Sequence, residues 1–260
     1  MVCEKGDNMN KIDINFSVSF ALAKREFIKY LRNKSRVITS IFQSLMFLFI
    51  FGFAIGNQAL VSAGIIPQAI LFAGIFSGVS IVMDRMLGFF KEIMVAPISR
   101  TTITIGRAIG GTLVASIQGI ILITLTSIFG AFGYEPLLFL KILAAIPIIF
   151  LTAFLTTSLG NLISTRMKDF HQMQFIMTFL IMPLFFTSGA IIDFVGTPFF
   201  NFTLINPMTY CVDAMRHIML AGNPTISVGL PLYVDILAIL AFSLAFIILS
   251  AYIFRKSESV

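Results

Sequence analysis

The chain has 260 residues, of which 58% are hydrophobic and 12% charged, and it carries a net charge of +6. A soluble domain of this size would be about 25% charged, so the composition excludes an ordinary water-soluble globule. The excess of positive charge is not spread as a nucleic-acid footprint would be; it is gathered at particular points between apolar runs, as a membrane topology signal is.

Residues 1–15 read as a polar, disordered tail with no apolar run ahead of a small-residue cleavage site, so no leader peptide is expected to be removed. Over residues 16–36, Phe16, Phe20, Ala23, Phe27 and Leu31 recur at helical spacing, while Lys24, Arg25, Lys29 and Arg32 fall mainly off that stripe. This pattern predicts an amphipathic basic helix lying on the inner membrane surface against anionic lipid; a disordered arm that serves only topology is the alternative.

Six hydrophobic spans follow within residues 37–254: Val37 to Gly56, Ser62 to Met83, Ile105 to Phe129, Leu137 to Ile163, Gln172 to Ile192 and Pro231 to Phe254. Each offers about 20 residues or more, enough to cross a hydrocarbon core of about 30 Å. Sixteen of the eighteen Lys and Arg residues lie in the N-terminal arm, the second and fourth inter-span loops and the tail at 255–260. Short basic loops stay on the cytoplasmic side, which predicts a multi-pass protein of the cell membrane with both termini in the cytoplasm. Cys3 and Cys211 then fall on opposite sides and cannot bridge within one chain. The segment 193–223 is rich in Phe but broken by Gly196, Pro198 and Pro207. It reads as an outer re-entrant segment shielded by protein, with a simple amphipathic outer loop as the alternative. The expected fold class is all-α: a polytopic membrane protein with six transmembrane helices, an N-terminal amphipathic interfacial helix and this re-entrant segment between spans five and six.

The sequence carries no HExxH, CxxC, GxSxG or GxxxxGK[ST] motif. His171 and His217 sit at opposite edges of the membrane pattern, so no shared metal is expected. The middles of the spans hold Gln43, Gln68, Gln118 and scattered Ser and Thr, but no carboxylate or cation of the kind an ion-coupled carrier needs. The chain is therefore not expected to be an enzyme. If it transports, its energy comes from another subunit; a non-transporting scaffold is the rival reading.

The loop over residues 84–104 alternates charged and apolar residues from Asp84 through Lys91 and Glu92, stops at Pro97, and places Ser99 to cap the next helix. Asp84-Arg85, Gly88, Pro97-Ile98-Ser99-Arg100 and Gly106-Arg107 together resemble the inter-span signature of ABC-2 type permeases, of the daunorubicin-resistance and polysaccharide-export types. A second stretch, Pro183 to Ala190 followed by Pro198, Asn206-Pro207, Tyr210 and Asp213 to Arg216, is similar to that family's "F-x-S-G" and "NP-x-x-Y-x-x-D-x-x-R" segments.

The resemblance implies a permease subunit of an exporter that moves a hydrophobic or amphipathic substrate, such as a drug, a lipid or a glycan. Its partners would be two copies of an ABC ATPase and a second permease chain, by default identical. This chain would bind no cofactor; ATP and Mg would sit on the ATPase. Coupling to that ATPase would fall to Asp84, Arg85, Gly88, Phe89, Lys91, Glu92, Pro97, Ser99 and Arg100. The substrate pathway would be lined by Gln68, Phe72 and Phe76 on span two and by Met182, Phe185 and Phe186 on span five. Ser188, Gly189, Asn206, Pro207, Tyr210, Asp213 and Arg216 would form an outer gate, where Asp213 and Arg216, three apart, can pair on one helical face.

Overall fold

A computed structural model describes residues 16–86, 99–133, 136–167, 172, 175–221 and 229–257. Among these residues the protein is helical throughout, with no strand. In chain order, α1 covers Phe16–Arg32, α2 Lys34–Ile55, α3 Gln58–Met86, α4 Arg100–Ile128 and α5 Leu138–Arg166. A π-helical turn at Met177–Ile181 leads into α6, Met182–Thr187. After it come α7 at Phe200–Thr203, α8 at Pro207–Met219 and α9 at Leu232–Ser257.

Five of these helices are long and apolar enough to cross a membrane, and they correspond to spans one to four and six. Within span five the helix stops at Thr187, short of Ile192, because Gly189 turns the chain with φ +78, a left-handed conformation that suits glycine. At the other end of the chain, the expected single helix over 16–36 is divided. Asn33 breaks it, and Lys34 to Arg36 begin α2 instead.

The spans pack through small residues. α3 and α5 run side by side in the same direction, with Gly74 and Gly78 against Thr156 and Gly160. A Cβ on Gly160 would lie 2.8 Å from the Gly74 carbonyl oxygen, and one on Gly78 would lie 2.6 Å from the Gly160 carbonyl carbon. α4 crosses both in the opposite sense, and Gly111 meets Ser77 and Thr157. Lipid tails are as apolar as the helices, so close backbone approach and the dispersion it permits must hold such a bundle together. α3 is the buried centre: Val61, Ile65, Ile66, Ile70 and Leu71 are essentially inaccessible. α2 instead presents Ile38, Phe42, Met46, Phe49, Ile50 and Phe53 outward.

Candidate functional site

One end of the bundle is built around α1. Its buried face is Ser19, Ala23, Glu26 and Tyr30, not the Phe stripe; Phe20 is 69% exposed. The reason is close packing. A Cβ at Gly106 would lie 2.9 Å from the Ser19 carbonyl oxygen, and one at Gly110 would lie 2.9 Å from the Ala23 Cα, so only small side chains fit where α1 lies along α4. Ser19 Oγ also donates to the Thr102 carbonyl over 3.3 Å. On its other flank α1 reaches α3, where Ser80 Oγ donates to Glu26 Oε2 over 3.0 Å. One helix thus holds the end of α3 and the start of α4, the two elements that residues 87–98 connect. Ser99 occupies the N-cap of α4, as its place in the sequence predicts, with its Oγ accepting from the Thr102 amide over 3.3 Å. Of the expected coupling residues, Gly88, Phe89, Lys91, Glu92 and Pro97 lie outside the described residues, as do the side chains of Asp84, Arg85 and Arg100.

At the opposite end, the residues of the expected outer gate lie close together in several separate hydrogen-bonded sets. Gln68 Nε2 donates to Ser188 Oγ over 2.5 Å, and Ser188 Oγ donates to the Phe185 carbonyl over 2.7 Å. Asn206 caps α8 by accepting from the Met208 amide (2.9 Å), while its Nδ2 donates to the Leu184 carbonyl (2.7 Å) and Thr187 Oγ1 (3.0 Å). Pro207 fills the first helical position, where a missing N–H costs nothing. Tyr210 Oη donates back to the Leu204 carbonyl over 2.8 Å.

The spacing of Asp213 and Arg216 allows them to pair on one helical face; in the structure the hydrogen bonds of each go to other segments. Asp213 accepts from the backbone amides of Gly229 (3.1 Å) and Leu230 (2.8 Å), just ahead of α9. Arg216 Nη2 donates to the Gly189 carbonyl over 2.5 Å, and its Nη1 lies 3.5 Å from Asp193 Oδ1. Amides leading into a helix are ready donors to a carboxylate, so each charge serves a separate segment. α8 thereby ties the turn after α6 to the start of α9. It is no free-standing loop: Met208, Cys211, Ala214 and Met215 are fully buried, and the helix packs on α3, α5 and α9.

The expected pathway residues divide. Gln68 and Phe185 are buried inside the chain and join each other through the Ser188 network, with Phe185 also packed on Phe47 and Phe72 at ring separations of 5.4 and 6.2 Å. Met182 and Phe186 are exposed, on the side that also shows Phe175 stacked on Phe179 at 4.4 Å. Phe72 and Phe76 are half-buried.

Three polar residues matter here that sequence reasoning passed over. Glu26 looks like one more charge on a basic helix, and nothing local shows that Ser80 waits for it. Arg107, noted only for its place beside Gly106, is buried beside Asn161, Thr165 and Ser250. Asp235 is the lone acid in span six, close to the span's start, and it is 0% exposed and 4.0 Å from His217 Nε2.

Comparison with known proteins places this architecture. Residues 18–220 match the ABC-2 type transporter family. The chain is 26% identical over 213 residues to a protein named transport permease ycf38 in Porphyra purpurea, covering 76% of this chain and 72% of that one. It is 28% identical over 179 residues to nodulation protein J of Rhizobium meliloti (strain 1021), covering 66% of this chain and 65% of that one. The match takes in α1, the first five spans and α8, and with it the chain belongs to the ABC-2 type transporter family.

Proposed function

We propose that this chain is the permease subunit of an exporter, working as a pair of copies and driven by ATP hydrolysed on separate ATPase subunits that hold the nucleotide and Mg. The observation that carries the reading is the grip of α1 on both helices flanking residues 87–98. A force applied to that connecting loop would reach α3 and α4 together, with α1 fixing their relation. The transport names of the relatives and the lack of any phosphate-binding loop in this sequence agree with it.

In this reading the basic end faces the cytoplasm, and Asp84 to Arg100 is the contact with the ATPase. The exposed aromatic and thioether face at Phe175, Phe179, Met182 and Phe186 faces its counterpart across the two-fold axis, with Phe72 and Phe76 behind it. Such a wall accepts bulky apolar or amphipathic molecules with little geometric demand. Gln68 and Phe185 hold the wall from within and do not touch cargo. The α8 network forms the outer closure.

The test is purification of the tagged chain from its native membrane. A phosphate-loop ATPase should accompany it at one copy per permease and be lost when residues 84–100 are replaced. Glu92→Arg and Gly88→Trp should leave the chain inserted while uncoupling ATP hydrolysis from export. Absence of any ATPase across several mild detergents would move the scaffold reading to the front.

A further inference from the structure

At the end of the bundle opposite α1, Asp213 and His217 of α8 and Asp235 of α9 each bring one donor atom to a common point, all within 4.8 Å of one another. Asp235 makes this more than a cluster of acids. Its side chain is fully buried, and among the described residues neither carboxylate oxygen has a hydrogen-bond partner. Taking a carboxylate out of water without hydrogen bonds is costly enough that it has to be neutralised, by a proton or by a bound cation. The nearby cation does not serve: Arg216 is committed to Asp193 and the Gly189 carbonyl. His217 Nε2, at 4.0 Å, is beyond hydrogen-bond reach of Asp235. That same nitrogen lies against the Leu230 carbonyl, an acceptor only, so it carries its proton there and would have to give up that bond to ligate an ion.

Asp213 is oriented as a ligand usually is. It is held by the amides of Gly229 and Leu230, which fix its plane while leaving lone pairs on both oxygens. Two helices are involved, so an ion here would join α8 to α9. We propose that Asp213, His217 and Asp235 form a binding site for a divalent transition-metal ion of the zinc type. An imidazole nitrogen with two carboxylates favours such an ion over calcium or magnesium, which take oxygen ligands. Tetrahedral coordination at about 2.0–2.2 Å holds neighbouring donors roughly 3.3–3.6 Å apart, so side-chain rotations that draw the three donors in by about 1 Å would complete the site. Bound there, the ion would neutralise the buried carboxylates and stiffen the junction between α8 and the last span.

The experiment uses the full chain in nanodiscs, with Cys3 and Cys211 replaced by Ser so that no thiol competes for zinc. After chelator stripping, Zn2+ alone is titrated in, and bound metal is counted together with the thermal midpoint. One Zn2+ per chain is expected, with a rise in midpoint. Asp235→Asn and His217→Gln should each weaken binding at least tenfold. Asp235→Asn removes a buried charge and keeps the shape, so its unliganded form should be no less stable than the parent, which separates lost binding from lost folding. Equal zinc uptake by the parent and both variants would overturn the site as adventitious surface binding. So would an absence of uptake accompanied by a pH-dependent midpoint that Asp235→Asn abolishes, since a proton would then be what neutralises Asp235.

Discussion

The amide of Gln68 donates to Ser188 Oγ over 2.5 Å, and this bond fastens the buried centre of span two to the turn that ends span five. Ser188 passes the connection on by donating to the Phe185 carbonyl, and its Oγ also accepts from the Ala190 amide at 3.3 Å. Just beyond, Gly64 of α3 approaches the Ala190 carbonyl so closely that no Cβ would fit. The short helix α6 is thus held at its end by α3 while its exposed face stays unburdened. Gln68→Ala should lower stability by about 1–2 kcal/mol, the upper part of the range for polar contacts between membrane helices. Met182→Ala, on the exposed face, should cost far less. Thermal unfolding of both variants in the same detergent compares them; equal losses would mean that Ser188 finds another partner.

The glycines of the α3–α5 contact allow a sharper test, because what they meet is backbone and not a flexible side chain. Gly78→Val should abolish the monodisperse elution of the detergent-solubilised chain, since its Cβ would overlap the Gly160 peptide. Gly52→Ala is the control. The nearest atom there is Gln58 Cγ at 3.8 Å and the residue is helical, so a methyl group should be tolerated or stabilise by about 0.5–1 kcal/mol. Elution profiles with matched expression distinguish the pair.

Much of this organisation is legible in the sequence because the bilayer imposes it directly. Span lengths and the gathering of Lys and Arg are one-dimensional signals, and the Ser99 cap is a local one that depends on three residues. The set from Asn206 to Arg216 is also visible as a motif. What the motif does not contain is the identity of each partner. Asp213 and Arg216 look paired at i and i+3, but the amides at 229–230 and the carboxylate of Asp193 come from elsewhere in the chain. On α1 the apolar stripe of Phe16, Phe20, Ala23, Phe27 and Leu31 marks the face expected against the membrane, and within it Phe20 is exposed while Ala23 is buried. In a membrane protein small residues mark the helix contact and large apolar ones can face lipid, so Ser19, which the stripe leaves out, joins Ala23 in the contact with α4.

Cys211 should be inert toward thiol reagents in the folded chain. It is fully buried in α8, its Sγ lies 3.7 Å from the Pro207 carbonyl, and burial pushes its thiol up to about 12. The thiolate is therefore scarce at pH 8, and only the thiolate attacks. With Cys3 replaced by Ser, a maleimide-linked polymer should leave the native chain unshifted on a gel and shift it fully after denaturation in SDS. Labelling before denaturation would show that α8 swings out of the bundle, and its rate would report how often.

The contact between α1 and α4 connects packing to the proposed coupling. Because Gly110 faces the Ala23 Cα with no room for a larger group, Ala23→Leu should lift α1 away from α4 and strain the Glu26–Ser80 bond beside it. Phe20→Ser, at a position 69% exposed, should leave that contact in place. Trypsin, which cuts after Lys24 and Arg25 on the exposed side of α1, should cleave the Ala23→Leu chain in nanodiscs several times faster than the parent, with Phe20→Ser close to the parent. If α1 is the brace for the loop at 87–98, the same Ala23→Leu chain should retain its ATPase subunit but lose substrate stimulation of ATP hydrolysis. Faster cleavage with stimulation intact would leave α1 as a structural strap and return the whole of the coupling to the loop itself.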